Sequence, residues 1–369
     1  MNYSNRIFLY GPLMLLLLIA VAVMVWWKIV ASSFDERLAA ANGREIMPGV
    51  RMSYASKDME GFPFRVDSVM EGFTLQVQTR TGPLVWRAEH FAIHALTYGR
   101  DQQVFEAAGT QTLWWTDSGG EHHRWTFVPG PLRASAILAH GRLSRFDLDA
   151  VAIASAEFSA TRLQFHLRQA PDRDALEFVM TGDNLRRTIG GQTSTAQDLS
   201  IEGNVAPGHP VAALLGGEVD WRSAAEAWRQ RGGTLSIERI ETLQDRIKTT
   251  GEGQLSLDGL RRLQGRIALT YQAPESVTRL GQYPTDAERR YYWVVQSGYH
   301  DASGRPRLVY VFDDGHIYYN SVAPKNIVTA TTAARRAFLF VVPQSQVGDL
   351  ADRVRAAIDR DAIVLHPLY

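Results

Sequence analysis

Between Ser223 and Tyr271 the sequence reads SAAEAWRQRGGTLSIERIETLQDRIKTTGEGQLSLDGLRRLQGRIALTY, and its hydrophobic period changes once along the way. Ser223 to Arg231 has helical spacing, with Ala224, Ala227 and Trp228 on one face, and Gly232–Gly233 ends it. Past the glycines the period is two. Leu235 and Ile237 alternate with Ser236 and Glu238, and Leu255 and Leu257 alternate with Gln254, Ser256 and Asp258. Ile267, Leu269 and Tyr271 alternate with Arg266, Ala268 and Thr270. This pattern predicts one helix followed by at least three antiparallel strands, apolar on one face and polar on the other.

The same rhythm extends outward. Upstream, Phe62, Phe64 and Val66 alternate with Pro63 and Arg65, which predicts a strand start with both phenylalanines on the core face. Phe73, Leu75 and Val77 continue the alternation, and Leu84–Trp86, Phe91–Ile93, Leu163–Leu167, Leu176–Met180 and Leu199–Ile201 read as further strands. Ser33 to Ala41 reads as a short serine-capped helix that ends before Gly43. Downstream, Asp286 to Val295 is partly helical, and Val309–Phe312 and Ile317–Tyr319 flank Asp313–Asp314–Gly315 as a hairpin. Ala337–Val342 has strand character, and Gln346–Arg360 is amphipathic, with Val347, Leu350, Val354 and Ile358 on one face.

The N-terminal run differs from all of this. Ile7 to Trp27 is 21 uncharged residues closed by Arg6 and Lys28, the length of a helix that crosses a hydrocarbon core about 30 Å thick. Tyr10 at one end and Trp26–Trp27 at the other stand where aromatic belts form, and Pro12 falls in the first turn, where its missing N–H is harmless. A cleaved signal peptide is the competing reading. Trp26, Trp27 and Lys28 occupy the place of the small residues that precede a cleavage site, which favours an uncleaved single-pass anchor. Charge leaves its orientation open, since Arg6 on one side is matched by Lys28, Arg37 and Arg44 on the other.

The expected fold is therefore mainly β: an N-terminal transmembrane helix, then a large curled antiparallel β-sheet, a meander with a few packed helices (α+β). Residues 1–31 are the expected anchor, 32–325 a β-rich body, and 326–369 a C-terminal extension with the amphipathic helix.

Composition narrows the function. The 369 residues hold 39 Lys+Arg, 39 Asp+Glu and no cysteine, with 45% hydrophobic and 21% charged residues. Wholesale disorder is excluded, nucleic acid is not expected as a partner, and thiolate metal sites and thiol nucleophiles are ruled out. Only Lys28, Lys57, Lys248 and Lys325 are lysines, and the arginines are scattered rather than clustered. His90 and His94 fall on a strand pattern, on the order of 13 Å apart, too far to share a metal ion. His122–His123 reads as an exposed hairpin loop, and Asp147 and Asp149 as the wet face of a strand. Gly251–Glu252–Gly253 lacks the third glycine of a dinucleotide loop and reads as a turn or bulge, and no Walker-type or GxSxG string occurs. The nine tryptophans include two in the anchor and are otherwise scattered, as packing residues are. No catalytic residue, metal or cofactor is expected, and the chain does not read as an enzyme.

Several segments, in order, resemble a bacterial family of membrane-anchored envelope proteins, the domain of unknown function 2125 family. They are the anchor, Gly61–Phe62–Pro63–Phe64–Arg65–Val66, and Trp86–Arg87–Ala88–Glu89 leading into Phe91. Next come Leu163–Gln164–Phe165–His166–Leu167–Arg168, Ala227–Trp228 with Gly232–Gly233–Thr234–Leu235, and Gly251 to Asp258. Asp314–Gly315 before an aromatic strand is the last, and the resemblance covers roughly residues 5 to 323. It carries no activity with it. Its helix-plus-meander organisation is similar to that of AsmA-like inner-membrane proteins, whose curled sheets face the periplasm and are associated with lipid handling. That likeness implies a single-pass inner-membrane protein with a periplasmic body, partnered by the bilayer and by envelope lipid as ligand. Leu235, Ile237, Leu255, Leu257, Ile267, Leu269 and Tyr271 are then the expected lipid-facing residues. The alternative is a non-enzymatic structural or partner-binding envelope protein with a closed core.

Overall fold

Antiparallel pairing of strands that follow one another in sequence builds the body. The structure is a computed structural model that describes residues 4–79, 82–98, 101–117, 120–139, 142–156, 158–189, 192–274, 285–296, 299–314, 316–320 and 365–367. It opens with helix α1 (Ser4–Ala41) and short strands β1 (Arg44–Met47), β2 (Val50–Ser53) and β3 (Ser56–Glu60). Long strands follow: β4 (Arg65–Gln78), β5 (Pro83–Leu96) and β6 (Gln102–Thr116), then β7 (His122–Phe127) and β8 (Leu132–Ala139). The meander continues through β9 (Arg142–Ala154), β10 (Phe158–Gln169), β11 (Leu176–Ile189) and β12 (Gln192–Ala206). Helices α2 (His209–Leu215) and α3 (Trp221–Gln230) precede β13 (Thr234–Gln244), β14 (Ile247–Leu257) and β15 (Leu263–Gln272). Helix α4 (Asp286–Gln296), β16 (Arg307–Asp313), β17 (His316–Asn320) and β18 (Leu365–Pro367) complete it.

The eighteen strands form one large open antiparallel sheet. Two strands branch it. β4 pairs with β2 through Thr74–Val77 and with β3 through Asp67–Glu71. β6 pairs with β8 through its first half and with β7 through its second. From β9 to β17 each strand pairs with its predecessor and its successor.

The mostly β sheet with few helices and an apolar N-terminal helix matches the expected class. Its helices differ in detail. The expected short helix at Ser33 is the last part of α1, because nothing between Lys28 and Ser33 breaks a helix. The chain leaves α1 through Gly43 at φ +73°, a left-handed position that suits glycine. Met14 to Ile19 are exposed, whereas Ala31 and Leu38 are buried, Leu38 against the sheet. The Lys57 ammonium pairs with Asp35 at 2.6 Å and ties α1 to β3. Helix α3 starts two residues earlier than Ser223, where the Asp220 carboxylate accepts from the Arg222 and Ser223 N–H groups.

The expected strand start at Phe62 is corrected. Gly61 at φ +94° turns the chain, the Arg65 N–H donates to the Gly61 carbonyl, and β4 begins only at Arg65. Phe62 and Phe64 stand in that turn, 53% and 65% exposed, rather than in the core. Of the two expectations for Gly251–Glu252–Gly253, the bulge holds and the turn does not. The segment lies within β14, opposite the register shift between Ile237 and Ile240 of β13. The Ala337–Val342 and Gln346–Arg360 expectations lie outside the described residues.

Candidate functional site

Register settles which side chains share a face, because directly opposed residues of antiparallel strands point the same way. Ile93 of β5 lies opposite Phe105, Phe105 opposite Ala134, Ala134 opposite Leu148, and Leu148 opposite Phe165. The row continues through Met180, Ile201, Ile240, Gly251 and Leu269 to Leu308 of β16. No residue in this row, which crosses eleven strands, has a polar side chain. A second row runs beside it, from Leu167 through Phe178, Gly203, Ile237, Gly253 and Ile267 to Tyr310.

All seven expected residues belong to this one face. Ile237 and Ile267 are in the second row, and Leu269 is in the first. Leu235 opposes Leu255, Leu257 opposes Leu263, and Tyr271 opposes Thr249. Their surroundings differ. Tyr271 is 3% exposed and packs with Ile247, Leu308 and the α4 residues Ala287 and Val294, with Leu269 against the same cluster. Burial pushes the Tyr271 hydroxyl well above the ordinary tyrosine range. Leu255 is buried, and Leu235, Ile237, Leu257 and Ile267 are half-buried.

Helices cap parts of the face. Phe34, Leu38 and Ala41 of α1 pack on Met70, Phe73 and Phe91. Val211 and Ala212 of α2 pack with Leu143, Leu167 and Leu176, while α4 sits over Ile247 and Leu308. Leu163, Met180, Ile201, Ile237 and Ile267 lie outside those three clusters and remain half-buried. Four glycines, Gly182, Gly203, Gly251 and Gly253, lie on the same stretch of face. Neighbouring side chains close over them: a Cβ on Gly203 would meet the Phe178 ring at 2.9 Å, and one on Gly251 would meet Leu269 Cδ2 at 2.5 Å. The face is thus an apolar strip, capped by helices at intervals and half-buried at Leu163, Met180, Ile201, Ile237 and Ile267.

The opposite face carries ion pairs between neighbouring strands. Asp67 meets His94 at 2.8 Å, Glu71 meets His90 at 2.8 Å, and Glu106 meets Arg133 at 3.0 Å. His90 and His94 therefore each have their own carboxylate. Asp147 accepts from Arg145 and His166, both at 2.7 Å, and Asp149 accepts from Arg162 at 2.7 Å. Partial burial raises the Asp147 carboxyl, but the Arg145 and His166 bonds outweigh it and hold it below the usual range. The Arg162 guanidinium lowers Asp149 likewise. Both carboxylates are ionised together, unlike an acid–base dyad in which neighbours push the two apart.

At the β6–β7 turn, Asp117, Glu121 and His123 bring ligand-capable atoms within 4.8 Å of one another, a grouping the sequence reading did not single out. The turn explains it: Asp117 accepts from the Glu121 N–H and from His123 Nε2, each at 2.9 Å. The strands at Phe105 and Ala134 were also not foreseen as part of the face. Val104 and Phe105 are adjacent apolar residues, so β6 shows no alternation to read.

Comparison with known proteins bears on this body directly. A family model described as an uncharacterized protein conserved in bacteria (DUF2125) matches residues 27–324, which takes in the whole sheet up to β17. No curated protein matches the chain.

Proposed function

We propose, for a chain that belongs to the bacterial DUF2125 family, that it is a membrane-anchored envelope protein whose sheet shelters acyl chains of an envelope lipid. The apolar row from Ile93 to Leu308 carries this reading, with its half-buried residues Met180 and Ile201. Apolar surface left in contact with water is unfavourable by roughly 25 cal/mol per Å², so a strip of this length gains by holding a long apolar ligand. Phe178, Leu269 and Ile267 lean over Gly203, Gly251 and Gly253 and keep the strip apolar there, and the polar opposite face suits contact with water. Helix α1 is apolar enough to span a membrane, which would keep the strip beside its source of lipid. The periplasmic placement, in the inner membrane, rests only on the resemblance of organisation read from the sequence.

A photo-crosslinking residue placed in cells at positions 237, 257 and 267, and for contrast at the exposed Gln254 and Arg266, tests the reading. Lipid adducts at the first three and none at the last two are expected. Protein-only crosslinks at 237, 257 and 267 would instead favour a sealed structural body, for which the helix-capped clusters at Phe91, Leu176 and Ile247 already provide a partial precedent.

A further inference from the structure

Outside α1, the exposed large apolar side chains among the described residues are unevenly placed. Phe62, Phe64, Tyr98, Leu260 and Leu263 stand at or near one end of the strands. That end is fixed by register: the start of β4 lies beside the end of β5, and the pairing repeats through the end of β14 and the start of β15. Turns at the opposite end are built from polar residues such as Thr79, Asp117, Glu121, Asp245 and Arg246. Ile46 and Val128 are exceptions, on β1 and in the β7–β8 connection, as are Leu215 and Trp221, on either side of Gly217, which lies against Met47 of β1.

Helix α1 meets the body at the apolar end. The Trp27 ring packs edge-on against Phe62, with centroids 5.6 Å apart, and its Nε1–H donates to the Arg65 carbonyl at 2.7 Å. Both the N–H and the hydroxyl of Thr97 donate to the Phe64 carbonyl, which sets Tyr98, 74% exposed, beside the same turn. The turn is thus pinned by backbone bonds while its aromatic rings face outward. Trp26 and Trp27 close the apolar run, at the level where a bilayer's aromatic belt lies. Contact with Trp27 holds Phe62 close to that level. Lys28 follows Trp27 on α1, and the Arg65 guanidinium at the start of β4 pairs with Asp67 at 2.6 Å.

We propose that Phe62, Phe64 and Tyr98 seat in the interfacial layer of the bilayer that α1 crosses, giving the body a second membrane contact. This rests on α1 crossing a bilayer and is independent of any lipid on the sheet face. The chain has no cysteine, so single substitutions Leu17→Cys, Phe64→Cys, Tyr98→Cys and Ala302→Cys each take one environment-sensitive fluorophore. The full chain is reconstituted in phosphatidylcholine–phosphatidylglycerol vesicles, with lipid nitroxides near the top of the acyl chain as quenchers. Labels at 64 and 98 are expected to emit blue-shifted and to be quenched at least about twofold more than the label at 302, as for side chains a few ångströms into the interface. If 64 and 98 behave like 302 while 17 reports lipid, the second contact is overturned and the anchor stands. If 17 also behaves like 302, anchor and second contact fall together. Because Thr97 holds only the backbone of Phe64, the substitution leaves the turn's bonds in place, and Tyr98 gives a second report of the same depth.

Discussion

At Gly253 the chain gives up a side chain on its most apolar surface. A Cβ there would lie 2.7 Å from the Arg266 carbonyl oxygen and 2.8 Å from Ile267 Cγ1. The first of these is backbone and has no room to move aside. Gly253→Ala is expected to destabilise the body by about 1–3 kcal/mol, read as a lower urea midpoint of the detergent-solubilised chain. Gly259→Ala, with nothing within 4 Å of its Cβ, is the matched control and should change stability by less than about 0.5 kcal/mol. Asp147 offers a charge-based counterpart. Its carboxyl is depressed in the folded protein, so its contribution is complete above the unfolded value of about 3.9 and is lost as pH falls through the folded one. Asp147→Asn should therefore cost about 1 kcal/mol at neutral pH, and the gap between the two proteins should close on acidification. A gap that widens below pH 4 would contradict the assignment.

Among the elements, the contrast between capped and open strands is measurable. Leu176 is 2% exposed and packs in the cluster closed by α2, so Leu176→Ala should cost about 2–5 kcal/mol. Ile267 is half-buried outside the helix-capped clusters, and Ile267→Ala should cost about 1 kcal/mol, in proportion to the surface it withdraws from water. Equal losses would mean that the strip is packed throughout. Much of this architecture was legible because β13 to β15 alternate strictly, so one pass of period two finds the face. Other strands hid it. Leu84–Trp86 and Phe91–Ile93 read as two strands yet are one, β5, in which Glu89 and His90 both face water. Gly72 at φ +61° lies between the Glu71–His90 and Phe73–Ala88 pairs, and Gly109 at φ +71° adjoins Glu89. Ala152 and Asn184, at φ +52° and +49°, interrupt β9 and β11 in the same way, with Asn184 bonded to Thr161 between them. Each interruption shifts the phase of burial in mid-strand, and a reading with fixed phase then cuts one strand into two. The Phe62–Phe64 turn misled for a related reason: alternation was present, but Gly61 had already turned the chain away from the sheet.

For the whole molecule, attachment and topology each have a direct test. With α1 as a bilayer span, the full chain should stay with membranes through carbonate extraction, and its release would remove the anchor. A single thiol at Ala302, in the exposed turn where the Asp301 carboxylate accepts from Ser303 and Arg305 N–H groups, should react with an impermeant reagent in intact spheroplasts. Reaction only after lysis would put the body in the cytoplasm and remove the envelope-lipid reading with it.

Helix α1 runs unbroken from the exposed leucines at Leu15–Leu18 to Leu38 in the core, without proline or glycine after Pro12. With α1 as a bilayer span, span and body would share one rod, with no swivel between them. A helix whose apolar length exceeds the local hydrocarbon thickness tilts to fit, and a stiff rod passes that tilt to whatever is fixed along it. Membrane thickness would then set the pitch of the entire sheet above the surface, lowering one rim and raising the other as the bilayer thins.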